Sequence, residues 1–106
     1  MQERIAVFEQ MLKDDPTNTM VMFGLAKEYE KQNEYQKVAD ILESYLAAAD
    51  DEGNAYGTLA TAYVALGERE KAVAALKRGI ETAMAHGHPS MANEYQMTLD
   101  LDLGED

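Results

Sequence analysis

The sequence repeats itself at an interval of 34 residues, and this interval constrains the fold more than any other feature. Residues 56–76 read YGTLATAYVALGEREKAVAAL, and moving them back by 34 positions places them on residues 22–42. The matched positions are Leu59 on Leu25, Ala60 on Ala26, Tyr63 on Tyr29, Ala72 on Val38 and Leu76 on Leu42. A fixed period of this length is typical of a solenoid, in which each helix pair buries its apolar face by stacking on its neighbours.

Composition limits the classes of function open to the chain. Its 106 residues fit a single domain. Twenty acidic and nine basic residues give a net charge of −11, which disfavours nucleic acid and anionic membranes as partners because like charges repel. No apolar run approaches the roughly 18 to 20 residues that a membrane span needs. Cysteine is absent, which excludes disulfides and thiolate zinc sites. We therefore expect a cytoplasmic protein.

Apolar periodicity, caps and helix breakers together predict six helices and no strand. The predicted helices cover residues 3–13, 18–31, 34–48, 54–66 and 68–85, followed by a last helix after Pro89 that Ser90 caps. Asn33 and Gly67 are expected in the turns because both residue types tolerate a left-handed backbone. The side chains expected in the core include Leu25, Tyr29, Leu42, Leu59, Tyr63 and Leu76. Residues 100–106 place four carboxylates near a helix C-terminus, so we expect this tail to fray.

The two copies resemble the tetratricopeptide-repeat family, whose signature is W-x-x-L-G-x-x-Y, then A-x-x-x-F, then proline. The copies read Met22-x-x-Leu25-Ala26-x-x-Tyr29 with Val38-x-x-x-Leu42, and Tyr56-x-x-Leu59-Ala60-x-x-Tyr63 with Ala72-x-x-x-Leu76. A half repeat precedes them, with Phe8 in the aromatic slot, Pro16 in the proline slot and Arg4 in the alanine slot. One departure is Tyr45, which stands where the second copy has Gly79.

The resemblance implies an all-α, TPR-like α-solenoid of about six antiparallel helices in one domain, residues 1–106. The expected parts are a half repeat at residues 1–16, repeats at 17–50 and 51–86, and a C-terminal capping helix at 89–103. It also implies a non-catalytic adaptor that binds a peptide or protein segment in a concave groove lined by the first helix of each repeat. The expected groove residues are Met20, Phe23, Gly24, Lys27, Lys31, Asn54, Gly57, Thr58, Thr61 and Val64.

This groove is nearly uncharged although the protein is acidic. An apolar anchor on the ligand would therefore suit Met20, Phe23 and Val64. Gly24 and Gly57 each cost a helix about 1 kcal/mol relative to alanine, so each position needs a reason. Tight helix packing and ligand binding are equal alternatives for that reason.

Self-association through the N-terminal half repeat is the alternative function. Arg4 occupies a slot that both full copies fill with a small apolar residue, and a buried unpaired charge there would be costly. We therefore expect no helix to cover this face, so that Val7 and Met11 form an exposed apolar strip on which a second copy could dock as a homodimer. Arg4 itself also opposes such docking.

Metal binding and catalysis are not expected. His86 and His88, with Glu81 and Glu94 nearby, are residue types that bind zinc or nickel, but two loop histidines are too few for a site. No Ser-His-Asp arrangement, glycine-rich phosphate loop or inward-facing carboxylate pair can be placed on the predicted helices. We expect no cofactor and no enzymatic activity.

Overall fold

The computed structural model describes residues 2–104, and within this range the chain forms helices and no strand. The helices are α1 (Gln2–Asp14), α2 (Thr19–Lys31), α3 (Tyr35–Ala48), α4 (Asn54–Ala65), α5 (Arg69–Ala85) and α6 (Pro89–Met97), followed by a π-helical turn (Thr98–Asp102). The bounds predicted for the first five helices each agree to within one residue. The expected all-α fold with six helices is confirmed.

The chain divides into two compact units at the boundary between Asp50 and Asp51. In the first unit α2 packs against both α1 and α3, and in the second unit α5 packs against both α4 and α6. Each unit therefore contains one complete helix pair and one additional helix.

The core of each unit includes the residues that the repeat pattern selects. All six side chains expected in the core are buried: Leu25, Tyr29, Leu42, Leu59, Tyr63 and Leu76. Ala26 and Val38 in the first pair, and Ala60 and Ala72 in the second, are also buried. Small side chains at these slots let the paired helices approach closely, so that the larger leucines and tyrosines fill the remaining space.

Three helices end in the same hydrogen-bonded turn. In each turn the backbone N–H of the residue that follows a left-handed position donates to the carbonyl five residues earlier. These bonds are Glu34 N to Tyr29 O (3.0 Å), Glu68 N to Tyr63 O (2.8 Å) and His88 N to Ala83 O (2.8 Å). The left-handed residues are Asn33, Gly67 and Gly87, with φ of 59°, 77° and 77°. The expected roles of Asn33 and Gly67 are confirmed.

The start of the last helix differs from the sequence-based expectation. Ser90 does not cap α6; His88 occupies the N-cap position, and Pro89 is the first helical residue. Proline suits this position because the first N–H groups of a helix have no intrahelical acceptor, so its missing N–H costs nothing.

The expected fraying of residues 100–106 is wrong for the part of the tail that the structure describes, and residues 105–106 lie outside that part. Thr98–Asp102 form the π-helical turn, and the Leu103 N–H donates to the Thr98 carbonyl at 3.1 Å. The Leu103 carbonyl in turn accepts a hydrogen bond from the Arg69 guanidinium. Leu99 and Leu103 are both buried. Burial of two leucines offsets the unfavourable position of the carboxylates at the helix end.

None of the helices within residues 2–104 combines the length and the apolar character that crossing a bilayer requires.

Candidate interaction surface

The predicted groove residues lie on two helices, one in each unit. Helix α2 carries Met20, Phe23, Gly24, Lys27 and Lys31, and helix α4 carries Asn54, Gly57, Thr58, Thr61 and Val64. The two helices occupy equivalent places in the repeat pattern. Their surroundings differ, and each is described within its own unit.

The α2 face combines one highly exposed apolar side chain with one that is already packed. Met20 is 84% exposed. The Phe23 ring packs against the Tyr45 ring of α3, with a centroid distance of 5.4 Å and an interplanar angle of 44°. The Lys27 ammonium lies 5.9 Å from the Phe23 centroid and 3.1 Å from the Glu30 carboxylate. Phe23 therefore contributes to the helix pair as well as to the surface.

Lys31, the other basic residue predicted for the groove, pairs with a buried carboxylate that the sequence did not single out. Glu28 is only 5% exposed, and its Oε2 accepts hydrogen bonds from Lys31 Nζ at 3.2 Å and from Arg4 Nη1 at 3.4 Å. The bond from Lys31 is the main reason why the pKa of Glu28 is lowered, and desolvation opposes it. Arg4 points outward as expected, but it pairs with a carboxylate. The sequence signal that could have indicated this ion pair is a basic residue in the alanine slot followed by acidic residues on the next helix.

Helix α1 packs on α2 through its aromatic residue and through a polar contact. A Cβ added to Gly24 would lie 3.4 Å from the Phe8 ring, so Gly24 lies at a helix contact. The Tyr29 hydroxyl donates to the Glu9 carboxylate, and desolvation together with this bond raises the pKa of Tyr29 to about 12. On the outer face of α1, Val7 is 57% exposed and Met11 41% exposed.

The α4 face is shaped by Tyr95 of α6. The Tyr95 hydroxyl donates to the Gly53 carbonyl at 2.7 Å and accepts from the Gly57 N–H at 3.2 Å. A Cβ on Gly57 would lie 2.8 Å from this hydroxyl oxygen, and a Cβ on Gly79 would lie 2.8 Å from Tyr95 Cε2 and equally close to Tyr56 Cβ. Desolvation raises the pKa of Tyr95, and the Gly57 N–H partly opposes that rise. The two glycines thus make the space that the tyrosine ring fills.

A cleft of about 520 Å³ runs between α4 and the segment formed by α6 and the π-helical turn. Its lining consists of Gly57, Ala60, Thr61, Val64, Leu76, Glu94, Tyr95, Thr98, Asp102 and Leu103. Ala60, Leu76 and Leu103 are buried and form its apolar base, whereas Thr61 and Val64 are exposed. Three predicted groove residues therefore line one cleft: Gly57, Thr61 and Val64.

The acidic loop before α4 orders both that helix and the start of α6. The Asp51 carboxylate accepts from the backbone N–H of Gly53 at 2.8 Å and of Ala55 at 3.1 Å, which places a negative charge at the N-terminus of α4. Glu52 lies 2.6 Å from His88 Nε2, and this hydrogen bond lowers the pKa of Glu52.

The histidines do not assemble with the two glutamates that suggested a metal. His88 contacts Glu52, and His86 Nδ1 lies 2.9 Å from the Thr82 carbonyl. Within residues 2–104 no group of three or more potential ligands is close enough together to hold a metal ion.

The comparisons with known proteins agree with this architecture. Among solved structures, the crystal structure of MamA is similar, with a TM-score of 0.71 and 22% sequence identity over 94% of this chain and 67% of that chain. No curated protein matches the sequence. The tetratricopeptide-repeat family model matches residues 29–88, which is more than half of the 106 residues. The chain therefore belongs to the tetratricopeptide-repeat family.

Proposed function

We propose that this protein is a non-catalytic adaptor of the cytoplasm that binds a peptide, or a segment of another protein, through predicted groove residues that α2 carries in the first unit and α4 carries in the second. Tetratricopeptide repeats generally mediate interactions between proteins, and the proposal assigns that role to specific residues. The observation that carries it is the cleft beside α4, which is lined by Gly57, Thr61 and Val64.

The size and lining of the cleft suit a side chain of a ligand. Pockets that bind ligands combine an apolar lining with a few polar groups. Here Val64 is 50% exposed beside a buried base of alanine and leucine, and Thr61 adds a hydroxyl at the opening. On α2, the exposed Met20 offers a flexible apolar contact that can adapt to different ligand shapes.

The proposal is tested by partner capture with single variants. Phe23→Ala, Lys27→Glu and Thr61→Arg each change one predicted contact position. We expect each variant to reduce the amount of partner protein captured from a cell extract, as measured by quantitative mass spectrometry. Ala47→Arg is the matched control, because it changes an exposed residue of α3, a helix that carries none of the predicted groove residues. Circular dichroism checks that every variant is folded. Unchanged capture by all three variants would remove these faces as the binding site.

Self-association through α1 is a second candidate function, and the exposure of Val7 and Met11 favours it. Adjacent apolar side chains on one helix face form a surface that a second copy could cover. Sedimentation of the wild type and of the Val7→Lys, Met11→Glu double variant tests this function. We expect a dimer only in the wild type, and a wild type that stays monomeric at all concentrations would exclude it.

A further inference from the structure

We infer that the cleft between α4 and α6 binds an arginine side chain presented by the partner peptide. This inference rests on the proposed function, because it names the chemistry of the ligand at one part of the same surface. It concerns only the second unit, where the complete lining of the cleft lies.

The charges at the cleft select a cation. Its described lining contributes two carboxylates, Glu94 and Asp102, and includes no lysine, arginine or histidine. Both carboxylates belong to exposed residues, so they can reorient toward a ligand. The net charge of −11 adds a field that attracts basic segments and repels acidic ones.

The apolar base of the cleft suits the aliphatic part of a long basic side chain. Ala60, Leu76 and Leu103 present only hydrocarbon side chains there, and Val64 extends this surface toward the opening. Long basic side chains cover apolar surface with their methylene groups while the charged end stays near water or near acidic partners. A short cation such as a metal ion would leave this apolar surface unused.

Tyr95 favours a guanidinium over an ammonium group at the charged end. Tyr95 is one of the residues that line the cleft, and its hydroxyl is fixed by hydrogen bonds with Gly53 and Gly57. A guanidinium stacks on aromatic rings and binds carboxylates through paired N–H donors, whereas an ammonium acts as a compact point charge. The combination of ring, two carboxylates and apolar base therefore matches arginine.

The test is a titration of the ¹⁵N-labelled full chain with three synthetic peptides, followed by NMR. The peptides are capped at both ends and identical except for one central residue, which is arginine, its neutral isostere citrulline, or glutamate, flanked by alanine and leucine. We expect the arginine peptide to shift the amide signals of Thr61, Val64 and Thr98. The citrulline peptide should bind roughly five- to tenfold more weakly, since it lacks the charge.

A double variant assigns the preference to the two carboxylates. Glu94→Gln with Asp102→Asn should reduce the ratio of arginine to citrulline affinity to near one and leave the citrulline affinity unchanged. Glu81→Gln, on the exposed face of α5, is the matched control and should keep the wild-type ratio. Thermal unfolding monitored by circular dichroism verifies that the variants are folded.

Three results would overturn the inference: equal affinity for the arginine and citrulline peptides, a preference for the glutamate peptide, or no shift at α4 and α6 with any peptide. None of them decides the proposed function, because the capture experiment reads out the faces of α2 and α4 with natural partners. If Thr61→Arg reduces capture while the arginine peptide fails, the adaptor function stands and the ligand chemistry at the cleft is wrong.

Discussion

The two helix pairs obtain the aromatic side chains at equivalent positions from different helices. In the first pair, Phe23 and Tyr45 pack ring against ring between α2 and α3. The positions 34 residues later hold Gly57 and Gly79, and the space is filled by Tyr95 from α6. The first pair thus supplies its aromatic contact from its own two helices, and the second pair receives it from the helix that follows. The repeat pattern determines where the helices begin and end. The residues at these two positions determine whether the aromatic side chain comes from the pair itself or from the helix that follows it.

The largest expected effect comes from removing Tyr95, the side chain that α6 contributes to the second helix pair. Tyr95→Ala should lower the free energy of unfolding by roughly 2 to 4 kcal/mol, because removing the aromatic ring leaves a cavity that the two neighbouring glycines cannot fill. Tyr95→Phe should cost only about 1 kcal/mol, the value of the hydroxyl hydrogen bonds to Gly53 and Gly57. Urea denaturation monitored by circular dichroism measures both. Similar losses for the two variants would show that the hydroxyl, and not the ring, holds α6.

A smaller effect is expected from adding a methyl group to glycines in the two units. Gly79→Ala should destabilise the protein by roughly 1 to 2 kcal/mol, because its Cβ would meet Tyr56 and Tyr95 at 2.8 Å and overpacking outweighs the gain in helix propensity. At Gly24 the nearest atom, in the Phe8 ring, is 3.4 Å away. Gly24→Ala should therefore be neutral or stabilising by up to about 1 kcal/mol. Thermal and urea unfolding compare the two, and equal losses would contradict the difference between the units.

The smallest effect concerns the loops that precede α2 and α4. Asn18 caps α2 by accepting from the Val21 N–H at 3.2 Å, whereas the equivalent residue in the second unit, Glu52, pairs with His88 instead. Because the pKa of Glu52 is lowered in the folded state, its contribution to stability is present above the ordinary value of 4.5 and is lost as the pH falls through the folded pKa.

Carboxyl ¹³C NMR tests this pair directly. The Glu52 signal should titrate below pH 4.5 in the wild type and closer to that value in His88→Ala. The change in stability should be small because both side chains are exposed. Glu70, an acidic residue elsewhere on the surface of the same unit, provides the internal control. A Glu52 midpoint that His88→Ala does not move would mean that the pair contributes nothing in solution.

The repeat pattern predicted most of the fold because its signals are local and redundant. Leu25 and Leu59, or Tyr29 and Tyr63, are buried for the same reason in both copies, and Asn33 and Gly67 end their helices through the same left-handed turn. Period, residue size and turn chemistry agree at each of these positions. A sequence can specify such features without any information about distant contacts.

The features that the sequence did not predict depend on contacts between helices. The position of Tyr95 between Gly57 and Gly79 depends on how α6 crosses α4 and α5, which the sequence pattern does not specify. The pairing of Glu28 with Arg4 likewise joins residues that are 24 positions apart in the sequence. The order of the segment around Leu103 depends on Arg69. The assignments of all the predicted groove residues stay predictions, because exposure alone does not identify a ligand.

The glycines at positions 57 and 79 make the packing of the second repeat depend on the helix that follows it. A repeat with aromatic residues at both positions fills this space from within the pair, whereas in the repeat with two glycines an aromatic residue from the following helix fills it. Tandem copies of residues 51–86 would therefore leave an unfilled gap at every junction, unless each following helix carried a tyrosine at the appropriate position. Copies of residues 17–50 would carry no such requirement at these two positions, because the Phe23 and Tyr45 rings contact each other within the helix pair.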